Sequence, residues 1–283
     1  MWILMPGIPS DLASALSKLA SAIRGKALVM FAILMIAGCV TETTGGFNVE
    51  KSEKQALIDY IRLATGYLEQ GDLLNTKRHL ANASEIDNNS SEVAAIWGLV
   101  YSREGEADLA DQSFRKALRL DSMNSQARNN YAAFLFANNR FKDAYEQLEK
   151  VVEDTEYEAR SQAFENLGFA ALSLNQDGDA EYAFARALQL NPNQLRSSLE
   201  LTELNLKKSN ILQARAYYRN YLTLMQFYNL GHSARSLWVG IQLEAALGNT
   251  GNVVQYGTLL ENNFKNTQEY PQYLKLLDTL EDD

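Results

Sequence analysis

Turn-forming residues recur along most of this chain at a nearly constant interval, and no other feature constrains the fold as much. The intervals are 34, 34, 36 and 34 residues, between Gly71, Gly105, Asn139, Asn175 and Ser209. A large apolar or aromatic residue lies nine positions after each of them, at Leu80, Phe114, Leu148, Phe184 and Tyr218. A unit of this length is two antiparallel helices joined by a turn, and it cannot bury its apolar faces alone. Successive units must therefore stack into a continuous array.

Small residues keep the same register on both sides of each turn. Seven positions before the turn residue lie Ala64, Gly98, Ala132, Gly168 and Thr202. Five positions after it lie Thr76, Ala110, Ala144, Ala180 and Ala214. Small residues at facing positions let the two helix backbones approach each other, and the large residue fills the space beside them. The period and this alternation together are the tetratricopeptide signature.

The sequence therefore predicts an all-α tetratricopeptide-repeat superhelix of about six helix-turn-helix units over residues 54–283. A weaker sixth unit is expected from residue 233 to about 265, and a helix over residues 270–280 is expected to cap the array. The chain has only four prolines, which also favours helices. A generic helical bundle is the alternative, and the near-equal spacings argue against it.

The N-terminal region carries the only cysteine of the chain, Cys39, at the end of an apolar run. Ile36, Ala37 and Gly38 precede it and complete the form of a bacterial lipobox, in which the cysteine is acylated before a peptidase cuts in front of it. The apolar run over residues 27–36 follows a basic pair and has about half the length that a membrane-spanning helix needs. We therefore predict a signal peptide over residues 1–38 and membrane attachment through a lipid on Cys39. The alternatives are a permanent transmembrane helix and a buried core cysteine.

Two further expectations concern this region. The basic pair, Arg24 and Lys26, lies far from Met1, so the sequence leaves open whether translation starts at Met1 or nearer Arg24. Residues 39–53 have no helical period after the cysteine and contain a glycine pair, which predicts a lipidated cysteine followed by a flexible tether. Fully stretched, the tether would reach about 45 Å at about 3.3 Å per residue.

The charge balance argues against one class of partner. The chain has a net charge of −9, and removing residues 1–38, with three basic residues and one acidic residue, leaves −11. Such an acidic protein is unsuited to nucleic acid and is not attracted broadly to anionic lipid head groups. Because the mature chain has a single cysteine, no internal disulfide is expected.

No combination of residues in the sequence indicates catalysis or metal binding. The two histidines, His79 and His232, are not part of a His-Glu-x-x-His pair, and neither has a cysteine nearby. There is no Gly-x-Ser-x-Gly elbow and no phosphate-binding loop. His79 falls on an outer helix, where we expect a solvated side chain. We therefore expect a binding protein without catalytic residues, metal, cofactor or small-molecule substrate; a hydrolase with an unusual site is the competing hypothesis.

A tetratricopeptide array binds partners on the face formed by the first helix of each unit, here termed the groove. Counting along the helices places these residues in the groove: Ile58, Ile61, Thr65, Leu68, Leu99, Arg103, Asn129, Phe136, Glu165 and Phe169. The same count adds these residues: Glu92, Ala95, Gln126, Ala133, Gln162, Leu172, Arg196, Leu199, Glu203 and Leu206. An exposed apolar patch, typical of a site for an amphipathic helix or strand, is expected at the N-terminal end of the groove from Ile58, Ile61, Leu68 and Leu99. The alternative is that the tether or the cap helix covers it.

Three sets of segments carry a more specific resemblance. They are residues 129–136 (NNYAAFLF) with 140–145 (RFKDAY), residues 164–168 (FENLG) with 187–194 (ALQLNPNQ), and residues 234–241 (ARSLWVGI). Taken with the lipobox and the repeats, they resemble the PilF/PilW family of outer-membrane pilotin lipoproteins of type IV pili. The resemblance extends over nearly all of the mature chain.

This resemblance implies a function that the repeats alone do not. Proteins of the family bind subunits of the secretin, the outer-membrane ring through which the pilus passes, and help the ring reach the membrane and multimerise. It implies secretin subunits as partners and an outer-membrane location facing the periplasm. Val40, in place of an aspartate, fits export from the inner membrane. Another periplasmic tetratricopeptide adaptor, such as a scaffold for cell-wall enzymes, is the alternative.

Overall fold

The computed structural model describes residues 52–281, and within this range it contains thirteen α-helices and no β-strand. The predicted signal peptide, the lipobox with Cys39 and nearly all of the predicted tether lie outside the described residues. Among the described helices, none combines the length and the apolar character that crossing a membrane requires.

The helices form six antiparallel pairs and one closing helix. The first helices of the pairs are α1 (Glu53–Glu69), α3 (Ser91–Glu104), α5 (Ser125–Ala137), α7 (Arg160–Ser173), α9 (Leu195–Lys207) and α11 (Ala234–Ala246). The second helices are α2 (Leu73–Ile86), α4 (Ala107–Leu120), α6 (Phe141–Glu153), α8 (Asp177–Leu190), α10 (Ile211–Phe227) and α12 (Thr250–Phe264). The closing helix α13 (Glu269–Glu281) packs on α11 and α12. The all-helical tetratricopeptide fold that the sequence predicts is thereby confirmed.

The turn inside each of the first five pairs uses a residue in the left-handed region of backbone conformation. The φ angles are 78° and 80° at Gly71 and Gly105, and 59° at each of Asn139, Asn175 and Ser209. Glycine adopts this conformation without steric cost, and asparagine tolerates it better than other residues with a side chain. The register residues of the sequence are therefore the points at which the chain reverses direction. Gly248, with φ of 73°, does the same in the sixth pair.

The small and large residues of each pair meet as the alternation predicts. A Cβ built on Gly98 would lie 2.9 Å from the ring of Phe114, and one built on Gly168 would lie 2.6 Å from the ring of Phe184. Both rings are fully buried. The distance between the paired helices is therefore set by an aromatic ring resting on a bare backbone.

Hydrogen bonds join successive pairs in a repeated way. Ser91 Oγ donates to the Ala117 carbonyl at 2.9 Å and accepts from Asn124 Nδ2 at 3.0 Å. Two units later, Ser161 Oγ donates to the Ala187 carbonyl at 3.1 Å and accepts from Gln194 Nε2 at 2.9 Å. Each serine thus ties a first helix to the end of its partner helix and to the start of the next unit, which fixes the angle between neighbouring units.

Candidate partner groove

The groove is built by first helices that pack side by side. Helix α1 contacts α3, α3 contacts α5, α5 contacts α7, and α9 contacts α11. Helix α7 meets α9 through side chains, since Ser197 donates to the Glu165 carboxylate and Arg196 lies over the Phe169 ring. Their exposed side chains therefore form one surface, while the second helices lie behind them. This arrangement brings residues that are 30 to 40 positions apart in sequence next to one another.

A pocket of about 350 Å³ opens in this surface between α5, α7 and α9. Its lining is mainly apolar and aromatic, with two polar groups at its edge: Ala132, Ala133, Phe136, Leu148, Asn166, Phe169 and Arg196. The volume suits one large side chain of a partner. The pocket brings together Phe136 and Phe169, which the sequence placed in the groove.

Phe169 forms the most constrained wall of the pocket. Its ring meets the ring of Phe184 edge-on at a centroid distance of 5.0 Å. On its other side the Arg196 guanidinium lies 4.0 Å from the ring centroid, within the range of a cation–π contact. The Arg196 side chain stays largely exposed. It therefore presents a cation at the pocket mouth, where it can meet a carboxylate or a carbonyl of a bound segment.

The placement of Ala95, Leu199 and Glu165 in the groove is wrong, because all three side chains are buried. The Glu165 carboxylate accepts from the backbone nitrogen and the hydroxyl of Ser197 at 3.2 and 2.8 Å. Gln162 Nε2 donates to it at 3.2 Å, and Arg196 lies 3.7 Å away as an ion pair. These bonds satisfy a buried charge and fasten α7 to the start of α9. Glu165 thus positions Arg196 instead of meeting a partner.

The polar rim of the pocket lies on α5 and α7. Asn166 Nδ2 donates to Asn129 Oδ1 at 3.3 Å, so these amides bridge the two helices beside the pocket. Phe136 is held by an edge-on contact with Phe141 at 5.1 Å. Asn129, which the sequence placed in the groove, lies beside the pocket, whereas Asn166 lines the pocket and is absent from the sequence count. Glu165 and Asn166 are three and four positions after Gln162, and helical spacing alone does not separate them.

The prediction of an exposed apolar patch at the N-terminal end of the groove is wrong. Ile61 is 7% exposed and Leu68 is 4% exposed, because both pack in the core between α1 and α3 against Val93, Ile96 and Val100. Ile58 is exposed, and Thr65 and Leu99 are half-buried, with Leu99 packed against the same core. Arg103 is exposed and donates to the Leu68 carbonyl.

A second depression, of about 500 Å³, remains at the N-terminal end of the groove. Its lining mixes charged, polar and apolar groups: Ile58, Ile61, Arg62, Thr65, Gly66, Glu69 and Glu92. The cap helix α13 does not cover it, since α13 packs at the other end of the array, on α11 and α12. The apolar pocket of the groove is therefore central and not N-terminal.

Neither histidine stands in a reactive setting. His79 is half-buried, not solvated as expected: its ring stacks on Tyr67 at 5.4 Å, and its buried Nδ1 has no hydrogen-bond partner within residues 52–281. His232 Nδ1 lies 3.2 Å from Ser236 Oγ, and burial lowers the pKa of this imidazole. Across the same residues, no cluster of His, Cys, Asp and Glu has an arrangement suited to a metal ion.

Comparison with known proteins connects this array to pilus assembly. The chain is 35% identical over 250 residues to the type IV pilus assembly protein PilF of Pseudomonas aeruginosa, which covers 87% of this chain and 96% of that protein. A solved structure of Pseudomonas aeruginosa pilF, also 35% identical, superposes with a TM-score of 0.74 over 80% of this chain and 99% of that one. No family model matches the chain.

Two more distant structures share the fold. PilW, described as a widely conserved type IV pilus biogenesis factor, is 24% identical, with a TM-score of 0.64 over 78% of this chain and 99% of that one. YrrB, described as a TPR protein with an unusual peptide-binding site, is 17% identical, with a TM-score of 0.58 over 69% of this chain and 97% of that one. At these identities the likeness concerns the tetratricopeptide fold.

Proposed function

The chain belongs to the PilF family of type IV pilus biogenesis proteins, and we propose that it acts there as a lipid-anchored adaptor for the secretin. In this proposal the groove binds secretin subunits, and the lipid on Cys39 takes them to the outer membrane, where they multimerise. The observation that carries the proposal is the 35% identity to PilF, which extends over 96% of that protein.

In this proposal the central pocket is the site at which the groove binds a segment of the secretin. An apolar side chain of the segment would enter between Phe136 and Phe169, and the Arg196 guanidinium would meet a carboxylate or a carbonyl beside it. Ala133 is exposed on α5 and lines the same pocket, so it offers a position at which the pocket can be filled without disturbing the core.

The proposal of a lipid anchor is based on the sequence of the N-terminal region. Ile36-Ala37-Gly38-Cys39 has the form of a lipobox behind a basic pair and a ten-residue apolar run, and Val40 fits onward export to the outer membrane. A single acyl chain anchors a protein only marginally, so the two or three chains of a mature lipoprotein are needed for stable attachment.

Substitution of Cys39 tests the proposal directly. In cells carrying Cys39→Ala as the only copy, we expect the protein to leave the outer-membrane fraction and the amount of secretin multimers there to fall. Thr41→Ala, which leaves the lipobox intact, is the matched control and should behave as the wild type. Normal multimers and normal pili in the Cys39→Ala strain, with the protein displaced from the membrane, would contradict the proposed role of the lipid.

A further inference from the structure

One segment of the array differs in charge from the rest of the chain. Residues 204–243 contain no aspartate and no glutamate, although the chain as a whole has a net charge of −9. The same segment contains five basic residues: Lys207, Lys208, Arg215, Arg219 and Arg235. It comprises the last turn of α9, all of α10 and most of α11, so a continuous part of the array lacks acidic side chains of its own.

Only two of these five basic residues lack an acidic partner. Lys207 forms an ion pair with Asp177 at 3.7 Å, and Lys208 forms one with Glu181. The two acidic partners lie on α8. Arg235 donates to Glu200 at 2.6 Å and to Glu203 at 2.6 Å. Arg215 and Arg219 form no ion pair with any residue in the range 52–281, and both are exposed on α10. Their charge is therefore available to a partner.

Arg215 and Arg219 lie on one exposed stripe of α10 with apolar groups at both ends. Helical spacing puts Leu212, Arg215, Arg219, Thr223 and Phe227 on the same face, and every one of them is exposed. Leu212 is 81% exposed and Phe227 is 77% exposed. The turn that follows adds two more exposed apolar side chains, Tyr228 and Leu230. We term these residues the α10 surface.

No other second helix in the described range has this character. Each of the others contains at least one acidic residue, for example Glu85, Asp108, Asp143, Asp177 and Glu261. Helix α10 is also longer, with 17 residues against 13 to 15 in the others. Phe227 lies in this additional turn, which the other second helices lack.

We propose that the α10 surface lies on a bilayer that contains anionic phospholipid. Two unpaired arginines fit lipid phosphates, while Leu212, Phe227 and Tyr228 fit the boundary between head groups and acyl chains. An acidic protein segment would need a groove for its side chains, whereas Leu212 and Phe227 project from the helix at 81% and 77% exposure, and Tyr228 in the following turn is 48% exposed. The acidic residues elsewhere oppose this contact weakly, because charges beyond about 8 Å are screened at physiological salt. The contact is independent of the lipid predicted on Cys39.

Vesicle binding by a fragment of residues 52–283 tests this contact without the anchor. Residues from Glu53 onward form a compact unit, and every described core cluster lies within it, so the fragment keeps its core. We expect the fragment to bind vesicles of phosphatidylcholine with one third phosphatidylglycerol, and to bind pure phosphatidylcholine vesicles far less. Each arginine near an anionic surface contributes about a fivefold factor, so Arg215→Gln with Arg219→Gln should weaken binding about twenty-fivefold.

Matched variants distinguish vesicle binding by the α10 surface from non-specific vesicle binding by any exposed apolar and basic side chains. Leu74 is 80% exposed on α2 at the register position of Leu212, and Arg78 follows it on the same exposed side. Leu74→Ser with Arg78→Gln should leave vesicle binding unchanged, whereas Phe227→Ser with Tyr228→Ser should weaken it severalfold. Equal losses in the α2 and α10 variants, or no difference between the two kinds of vesicle, would overturn the proposal. So would pilus defects in the α10 variants with vesicle binding intact, since these would assign the surface to a protein partner.

Discussion

Gly168→Ala tests the packing that sets the distance between paired helices, at a point next to the pocket. A Cβ built on Gly168 would approach three ring carbons of Phe184 to within 2.6–2.7 Å. Ordinary contacts between carbon atoms are about 3.5–4.0 Å. Phe184 is fully buried, and its ring packs edge-on against Phe169 at 5.0 Å. The ring therefore cannot withdraw without shifting the wall of the pocket.

Two opposing contributions determine the size of the effect. In a helix interior, alanine is favoured over glycine by about 1 kcal/mol. Overpacking a filled core costs about 1–3 kcal/mol, and an overlap of about 1 Å with a confined ring lies in the upper part of that range. We therefore expect the free energy of unfolding to fall by about 1–2 kcal/mol, and the melting temperature to fall by roughly 2–8 °C.

Gly66→Ala is the matched control for this substitution. Gly66 lies inside α1, and a Cβ built on it would have no heavy atom within 4 Å. In the control, only the higher helix propensity of alanine should act, and the free energy of unfolding should rise by up to about 1 kcal/mol. Thermal unfolding followed by circular dichroism, with urea titration as a second measurement, compares the two variants. A Gly168→Ala protein as stable as the wild type or more stable would refute the packing argument.

Two further predictions concern a turn and an ion pair. Ser209 holds φ of 59° and is exposed, so Ser209→Gly should raise the free energy of unfolding by about 0.5–1 kcal/mol, and a lower urea midpoint would contradict this. Burial raises the pKa of Asp111, but hydrogen bonds from Tyr131, Arg140 and Arg115 outweigh it and leave this pKa below its ordinary value. A lowered carboxyl pKa stabilises the fold above about pH 4, and this stabilisation is lost as the pH falls through the folded-state pKa. Asp111→Asn should therefore lower stability by about 1–2 kcal/mol at pH 7 and reduce the acid sensitivity of the melting temperature; an unchanged pH profile would argue against this role.

The repeat register and the helix pairing were predictable from the sequence because both depend on local chemistry. Left-handed turns restrict residue choice, so Gly71, Asn139 and Ser209 mark the reversals directly. The close approach of two helices requires a small residue opposite a large one, and Gly168 opposite Phe184 satisfies this requirement. Both signals lie within a single unit and need no knowledge of how units stack.

The groove was predicted less well because it depends on the angle between units. Ile61 and Leu68 belong to the face of α1 that α3 covers, and helical counting does not show which residues a neighbouring helix will cover. The same angle between units determines that Glu165 is buried while Asn166 lines the pocket. The contact of Arg196 with Phe169 joins two units and has no counterpart in either unit's own pattern.

Filling the central pocket shows whether the groove binds a secretin segment. Ala133 is exposed and lines the pocket on α5, and arginine at this position is compatible with a helix. Ala133→Arg would place a long cationic side chain in the cavity beside Arg196. Ala81→Arg, at an exposed position on α2, adds the same side chain away from the groove.

The measurement is the amount of secretin that co-purifies with each tagged full-length protein from membrane extracts of piliated cells. We expect Ala133→Arg to lower secretin recovery at least about tenfold, which corresponds to about 1.4 kcal/mol of binding free energy. We expect Ala81→Arg to match the wild type and both variants to keep full helical content. Equal secretin recovery with Ala133→Arg and Ala81→Arg, or recovery of cell-wall enzymes in place of secretin, would show that the groove does not bind secretin at this pocket.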